Sequence, residues 1–219
     1  MASTGRGSQN KGSQFERTIA KQLSSWWGYT FYRSPGSGSL HWSSSTNTGG
    51  DIVAPLEAGF PFVVECKNHE DWTIENLFLN NKEPKAWWKQ VVSDALEYDK
   101  IPMLIFTRNR AKKFVTLPYN KELVEHIESR EFPCMVSNIE FKDDYGDYHC
   151  YKTMTTILEA VTSFRPVKDK DTTYFKWYFR KDRYNWKDAL IRETKKVQNA
   201  RNIQDSDAEG SIDDLLDNI

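Results

Sequence analysis

Cysteine is scarce: Cys66, Cys134 and Cys150 are the three in 219 residues. They are too few and too scattered for a disulfide framework or a zinc site. A reducing compartment follows, with Cys66 expected as a buried thiol. Long apolar runs are also missing. No stretch approaches the ~18–20 apolar residues of a membrane span. The opening MASTGRGSQNKGSQ has no apolar h-region and does not read as a secretory signal. Residues 1–10 read instead as a flexible polar arm.

Excess charge of either sign is absent too, the net being −1. Its distribution is uneven, however. Residues 205–219, DSDAEGSIDDLLDNI, hold six acids and no base, leaving 30 bases against 25 acids in the rest. A basic body with an acidic tail suits nucleic-acid binding. Apolar residues make up 38% and charged residues 28%, enough for a domain with a real core.

The most informative stretch is 49–67, GGDIVAPLEAGFPFVVECK. Asp51 leads a short apolar run, Ile52-Val53-Ala54. A second run, Phe60 to Val64, leads into Glu65-Cys66-Lys67. Strand residues alternate in facing. Val63, Glu65 and Lys67 therefore share one face, and Phe62, Val64 and Cys66 the other. Glu65 and Lys67 stand about 6.5 Å apart along the strand. Pairing of the two runs as a hairpin would set Asp51 beside Glu65. Two carboxylates and an ammonium are costly to bury idle. They suit a hard divalent cation such as Mg²⁺, which takes one or two carboxylates plus water and phosphate oxygens. The alternative is a charged strand end facing solvent.

Further elements follow from periodicity. Residues 11–27 read as a helix with a stripe of Phe15, Ile19, Leu23 and Trp26 or Trp27. Ser13 and Glu16 have the spacing of a capping box, so Glu16 either closes that box or adds a third acid near the metal. Residues 29–34 alternate like a strand. The Gly/Ser-rich segment from Pro35 to Gly50 is either a loose solvent loop or a DNA-contacting one. Asp71 is placed to cap a short helix. Residues 84–99 form a helix burying Trp87 or Trp88, Val91, Val92, Ala95 and Leu96, with Gln90 at the stripe's edge. His69 and His41 are weak candidates for a general base. Residues 101–109 read as a central strand and 112–118 as another.

Asp51-x13-Glu65-x-Lys67 resembles the PD-(D/E)xK nuclease motif, with Gly50 where that motif has proline. The order KGSQFER, YRSPGSGS, GGDIV, FVVECKN, a helix with Gln90, then PMLIFTRN is similar to that of the archaeal-type Holliday-junction resolvases. The resemblance covers residues 11–118. It implies an α/β, restriction-endonuclease-like core: a central mixed sheet flanked by helices. It implies Asp51, Glu65 and Glu16 as metal-binding acids, with the Cys66 carbonyl as a further ligand. It implies Lys67 as the catalytic lysine and Gln90 as a glutamine near the site. Lys11, Arg33 and Ser37 are implied as nucleic-acid contacts. The activity implied is cleavage of branched DNA by a Mg²⁺-dependent homodimer, Mn²⁺ being a possible substitute. The matching place is cytoplasmic, at a nucleoid or a viral replication site.

The chain outlasts those resolvases. Residues 119–204 read as a C-terminal extension, with a helix at KELVEHIES and alternating stretches around PCMVSNIEF and YHCYKTMTTILEAV. Residues 165–204 carry twelve Lys/Arg against five acids, with seven aromatics interleaved. They suit either stacking on nucleic acid or the core of an added subdomain or dimer interface. Residues 205–219 read as disordered, as a docking peptide for a replication or recombination partner, or as a DNA mimic. The rival functions are a restriction-like or end-processing nuclease, and a non-catalytic DNA-binding protein.

Overall fold

Phe15, Ile19, Leu23 and Trp27 recur at helical spacing, and all four are buried. They lie on α1 (Thr4–Trp27) of the computed structural model, which describes residues 4–34, 46–47, 49–79, 82–164, 186–189 and 191–200. Each large side chain so buried contributes about 1.5–3 kcal/mol relative to exposure. The helix begins well before the expected start, so residues 4–10 are helical rather than an arm. Ser13 lies inside the helix and caps nothing. Once nucleated, a helix gains one hydrogen bond per added residue, and that carries it back through a polar stretch with no apolar signal.

Two sheets follow. β1 (Tyr32–Arg33), β2 (Thr46–Asn47) and β3 (Ile52–Pro55) make a small antiparallel sheet with β3 in the middle. β1 is shorter than the 29–34 expected. The main sheet contains β4 (Phe62–Asn68), β5 (Ile101–Thr107), β6 (Phe114–Pro118), β7 (Cys134–Lys142) and β8 (Tyr148–Ile157), in the order β4-β5-β6-β8-β7. Only β4 and β5 run parallel, joined by a crossover through α2 (Glu75–Phe78) and α3 (Lys82–Glu97). All seven residues of β5 are buried, as a central strand covered on both faces must be. The sheet crosses residue 118 without a break: β8 pairs with β6 from Phe114 to Pro118.

The expected hairpin between the two halves of the motif does not form. β3 and β4 lie in different sheets, because both edges of β3 are taken by β1 and β2. The chain instead touches β4 at a single parallel bridge, Gly50 to Val64. Asp51 N–H donates to the Val64 carbonyl at 2.8 Å.

Helices flank the main sheet. α3 buries Trp87, Trp88, Val91, Val92 and Ala95 as expected, but Leu96 is 46% exposed because it falls outside that stripe. The Phe62 side of β4 meets the end of α1 through edge-to-face contacts, Trp27 to Phe60 and Phe60 to Phe62. Asp71 does not cap α2: the N-cap position is Ile74, and Thr73 N–H donates to the Asn76 side chain instead. α4 (Lys121–Ser129) is the expected KELVEHIES helix, capped by Asn120, whose side chain accepts from Leu123 N–H at 3.1 Å. α5 (Leu158–Thr162) closes the sheet. Residues 186–189 and 191–200 are helical, and Trp186 is buried. Among the described residues no helix is long and apolar enough to cross a membrane. Most of the Gly/Ser-rich loop, the aromatic stretch 165–185 and the acidic tail lie outside the described residues, as do Ser37 and His41.

Candidate active site

β4 places Glu65 and Lys67 two residues apart on one face, and Lys67 Nζ lies 2.5 Å from Glu65 Oε1. α3 covers that face. Lys67 Nζ donates to Gln90 Oε1 at 3.0 Å, which places that glutamine against the lysine. Asp51 arrives from the other sheet by the Gly50 crossing. Its Oδ2 accepts from Cys66 N–H at 2.8 Å. The strand that carries the glutamate thus also orients the aspartate, through a backbone donor.

Asp51 and Glu65 are 5% and 3% exposed. Burial disfavours the charged form of each. For Asp51, burial first and the Glu65 charge second push the carboxyl up to about 7, against the pull of the Cys66 hydrogen bond. Burial also raises Glu65, while the Lys67 ammonium pulls it back. Cys66 is a buried thiol, as expected, and burial raises it as well. Glu16 sits on α1, half-buried, and pairs with Arg33. Its charge still raises Asp51 and Glu65. Arg33, expected as a nucleic-acid contact, is thus paired with Glu16.

Lys11 pairs with Glu70 at the surface. His69 is exposed, its ring 5.9 Å from Trp87. One acid escaped the sequence reading. Asp94 lies on α3 one turn beyond Gln90. It is half-buried and raised by burial, its charge raises Glu65, and Lys67 pulls it down. The i, i+4 spacing from Gln90 was the available signal.

The chain matches the model of a family described as "Phage putative PDDEXK endonuclease" over residues 7–171. It belongs to that family. The match spans well over half of the chain and runs through both motif acids, the lysine and the whole main sheet. The α/β core is restriction-endonuclease-like accordingly. No curated protein and no solved structure matches the chain.

Nucleases of this kind generally use divalent metals such as Mg²⁺. Among the described residues no three His, Cys, Asp or Glu side chains form a ready-made metal cluster. The donor chemistry nonetheless fits a hard cation. Two buried carboxylates repel one another, and the charge of one lysine offsets the pair. Asp51 and Glu65 would hold the ion, leaving its other positions to water and phosphate oxygens.

The raised Asp51 carboxyl makes stability depend on pH. Its folded value of about 7 lies above the ordinary 3.8, so between these values the folded chain binds a proton that the unfolded chain releases. Metal-free protein should therefore lose stability as pH rises through that window, by about 2–4 kcal/mol. Thermal melts in chelator at about pH 5 and about pH 8 check this. Saturating Mg²⁺ should restore the loss at the higher pH. Equal pH dependence in wild type and Asp51→Asn would refute the assignment.

Proposed function

We propose that the chain is a Mg²⁺-dependent endonuclease that cuts branched DNA, with four-way junctions as its preferred substrate. The observation that carries the nuclease reading is the meeting of Asp51, Glu65 and Lys67 at the end of β4, with the Glu16 charge on the same acids. The motif order shared with the junction resolvases supports the choice of substrate. A junction offers two symmetric strands to cut, which suits a twofold homodimer.

A bound divalent ion supplies charge neutralisation at the scissile phosphate and lowers the pKa of a water. The rest falls to side chains. Asp51, fixed by Cys66 N–H, and Glu65, buried in β4, present their oxygens in a constant geometry. Lys67 is held between Glu65 and Gln90, so its ammonium is aimed without help from substrate. There it orients the attacking water or stabilises charge on the phosphate. Gln90 can only accept from Lys67 through its oxygen, which positions the ammonium without neutralising it.

Cleavage of four-way junctions, flaps, linear duplex and single strands, with Mg²⁺ and with chelator, tests the proposal. Junctions should be cut fastest, and chelator should stop all cutting. Lys67→Ala should lower the rate by about 10²–10³-fold with junction binding retained. Equal rates on junction and duplex would overturn the substrate choice. Full activity of the Lys67 variant would overturn the site.

A further inference from the structure

The turn that joins β5 to β6 reads Arg108-Asn109-Arg110-Ala111-Lys112-Lys113, four bases and no acid. Its place in the sheet follows from register. Lys67 pairs with Phe106, and Asn68 with Thr107. The turn therefore leaves the sheet at the end that carries the catalytic groups, one strand over and one residue beyond. Neighbouring strands lie about 4.8 Å apart, and each residue advances about 3.3 Å. The backbone at Arg108 is thus on the order of 10 Å from that at Lys67.

The turn is braced from below. Trp72, buried, lies under Arg108, whose guanidinium carbon is 5.6 Å from the ring centre. The Trp72 indole N–H donates to the Thr107 carbonyl at 3.3 Å. The Thr107 hydroxyl donates to the Lys112 carbonyl at 3.1 Å. Glu70 accepts from Asn109 N–H with both oxygens, at 3.1 and 3.2 Å, and pairs with Lys11. Arg110 holds φ at +62°, a left-handed conformation that non-glycine residues rarely keep. Such a conformation costs about 1 kcal/mol or more and persists only where its surroundings impose it. Arg108, Arg110 and Lys112 are nonetheless exposed. Among the described residues, the acids that face the turn are Glu70, which pairs with Lys11 and also feels the Arg108 charge, Glu159, 3.9 Å from Lys112, and Glu75, near Arg108.

We infer that this turn is a phosphate clamp, which seats the DNA backbone against the catalytic end of β4 through Arg108, Arg110, Lys112 and Lys113. The inference rests on the endonuclease reading and extends it to the way DNA is held. A duplex carries one charge per about 1.7 Å of axis, so a compact set of four bases meets several phosphates at once. Contacts of this kind position the strand without reading its sequence. They therefore suit an enzyme that recognises the shape of DNA rather than its bases.

Binding of the full chain to a four-way junction and to duplex, followed over a range of salt in Ca²⁺, tests the clamp. The variant R108Q/R110Q/K112Q/K113Q keeps the side-chain stems and removes the charges. Its affinity should fall by about 10- to 100-fold, and its salt slope should shrink by about 2–4, close to 0.9 for each phosphate no longer neutralised. The melting shift produced by Mg²⁺ should be unchanged, showing the carboxylates intact. R110Q alone should shrink the slope by about 1. K121Q/K152Q, at the opposite end of the sheet, should match wild type. Wild-type affinity and slope in the fourfold variant, or equal losses in K121Q/K152Q, would overturn the clamp. Should wild type cut DNA while the fourfold variant binds and cuts as well, the clamp falls and the nuclease stands. Should wild type bind through the turn yet cut nothing, the clamp stands and the nuclease falls.

Discussion

Asp51→Asn should reduce metal-dependent cleavage by at least about a thousandfold, with DNA binding retained and the metal-free protein more stable at neutral pH. The three effects share a cause. An asparagine oxygen can still accept from Cys66 N–H, where Asp51 Oδ2 now lies at 2.8 Å. The backbone around the Gly50 crossing is therefore preserved. The charge that would neutralise a divalent ion is gone. So is the like charge facing Glu65, which together with burial makes the ionised aspartate costly. The same substitution thus stabilises the fold and disables the site. On the proposed reading, stability at neutral pH would be exchanged for the capacity to bind a cation. Cleavage rates, fluorescence-based junction affinity and melts in chelator check the three parts. A destabilised, weakly binding variant would point to a structural role for Asp51 in place of a metal-binding one.

The partition between what could be read and what could not is physical. Face assignment on β4 needs only the two-residue period, and Glu65, Lys67 and Cys66 stand as that period requires. The stripes of α1 and α3 were legible from their 3.6-residue period, and β5 from an unbroken apolar run that left little choice. Strand partnership was not legible. Period two tells which way a side chain points, and it says nothing of which strand lies alongside. β3 offered a short apolar run near β4, and proximity in sequence favoured a hairpin. Its edges were instead taken by β1 and β2, whose two-residue ladders leave almost no pattern. Glu16 was legible as an acid near the stripe, while its pairing with Arg33 was not, since that depends on how α1 lies over β1. Asp94 and the Arg108–Lys113 turn were passed over because charges on helices and turns usually mean solvent. Only the placement of their elements beside β4 makes them candidates.

Gly50→Ala should cost about 3 kcal/mol or more and remove most activity, and Gly50→Pro should cost more still. Gly50 has φ +73°, and a Cβ added there would lie 2.3 Å from the Val64 carbonyl oxygen. That oxygen is backbone of β4, inside the main sheet, and cannot swing aside. The left-handed turn at Gly50 is also what brings Asp51 N–H onto Val64 and the Asp51 carboxylate onto Cys66 N–H. Proline cannot follow, because its ring holds φ near −65°. The residue that precedes the aspartate in the motif's usual spelling is therefore excluded by this crossing geometry. Restoring the usual proline should therefore destroy the site instead of perfecting it. Melting temperature and junction cleavage of both variants decide the matter. Should Gly50→Pro melt and cut like wild type, Asp51 must reach Glu65 by another path, such as the hairpin that β1 and β2 here preclude.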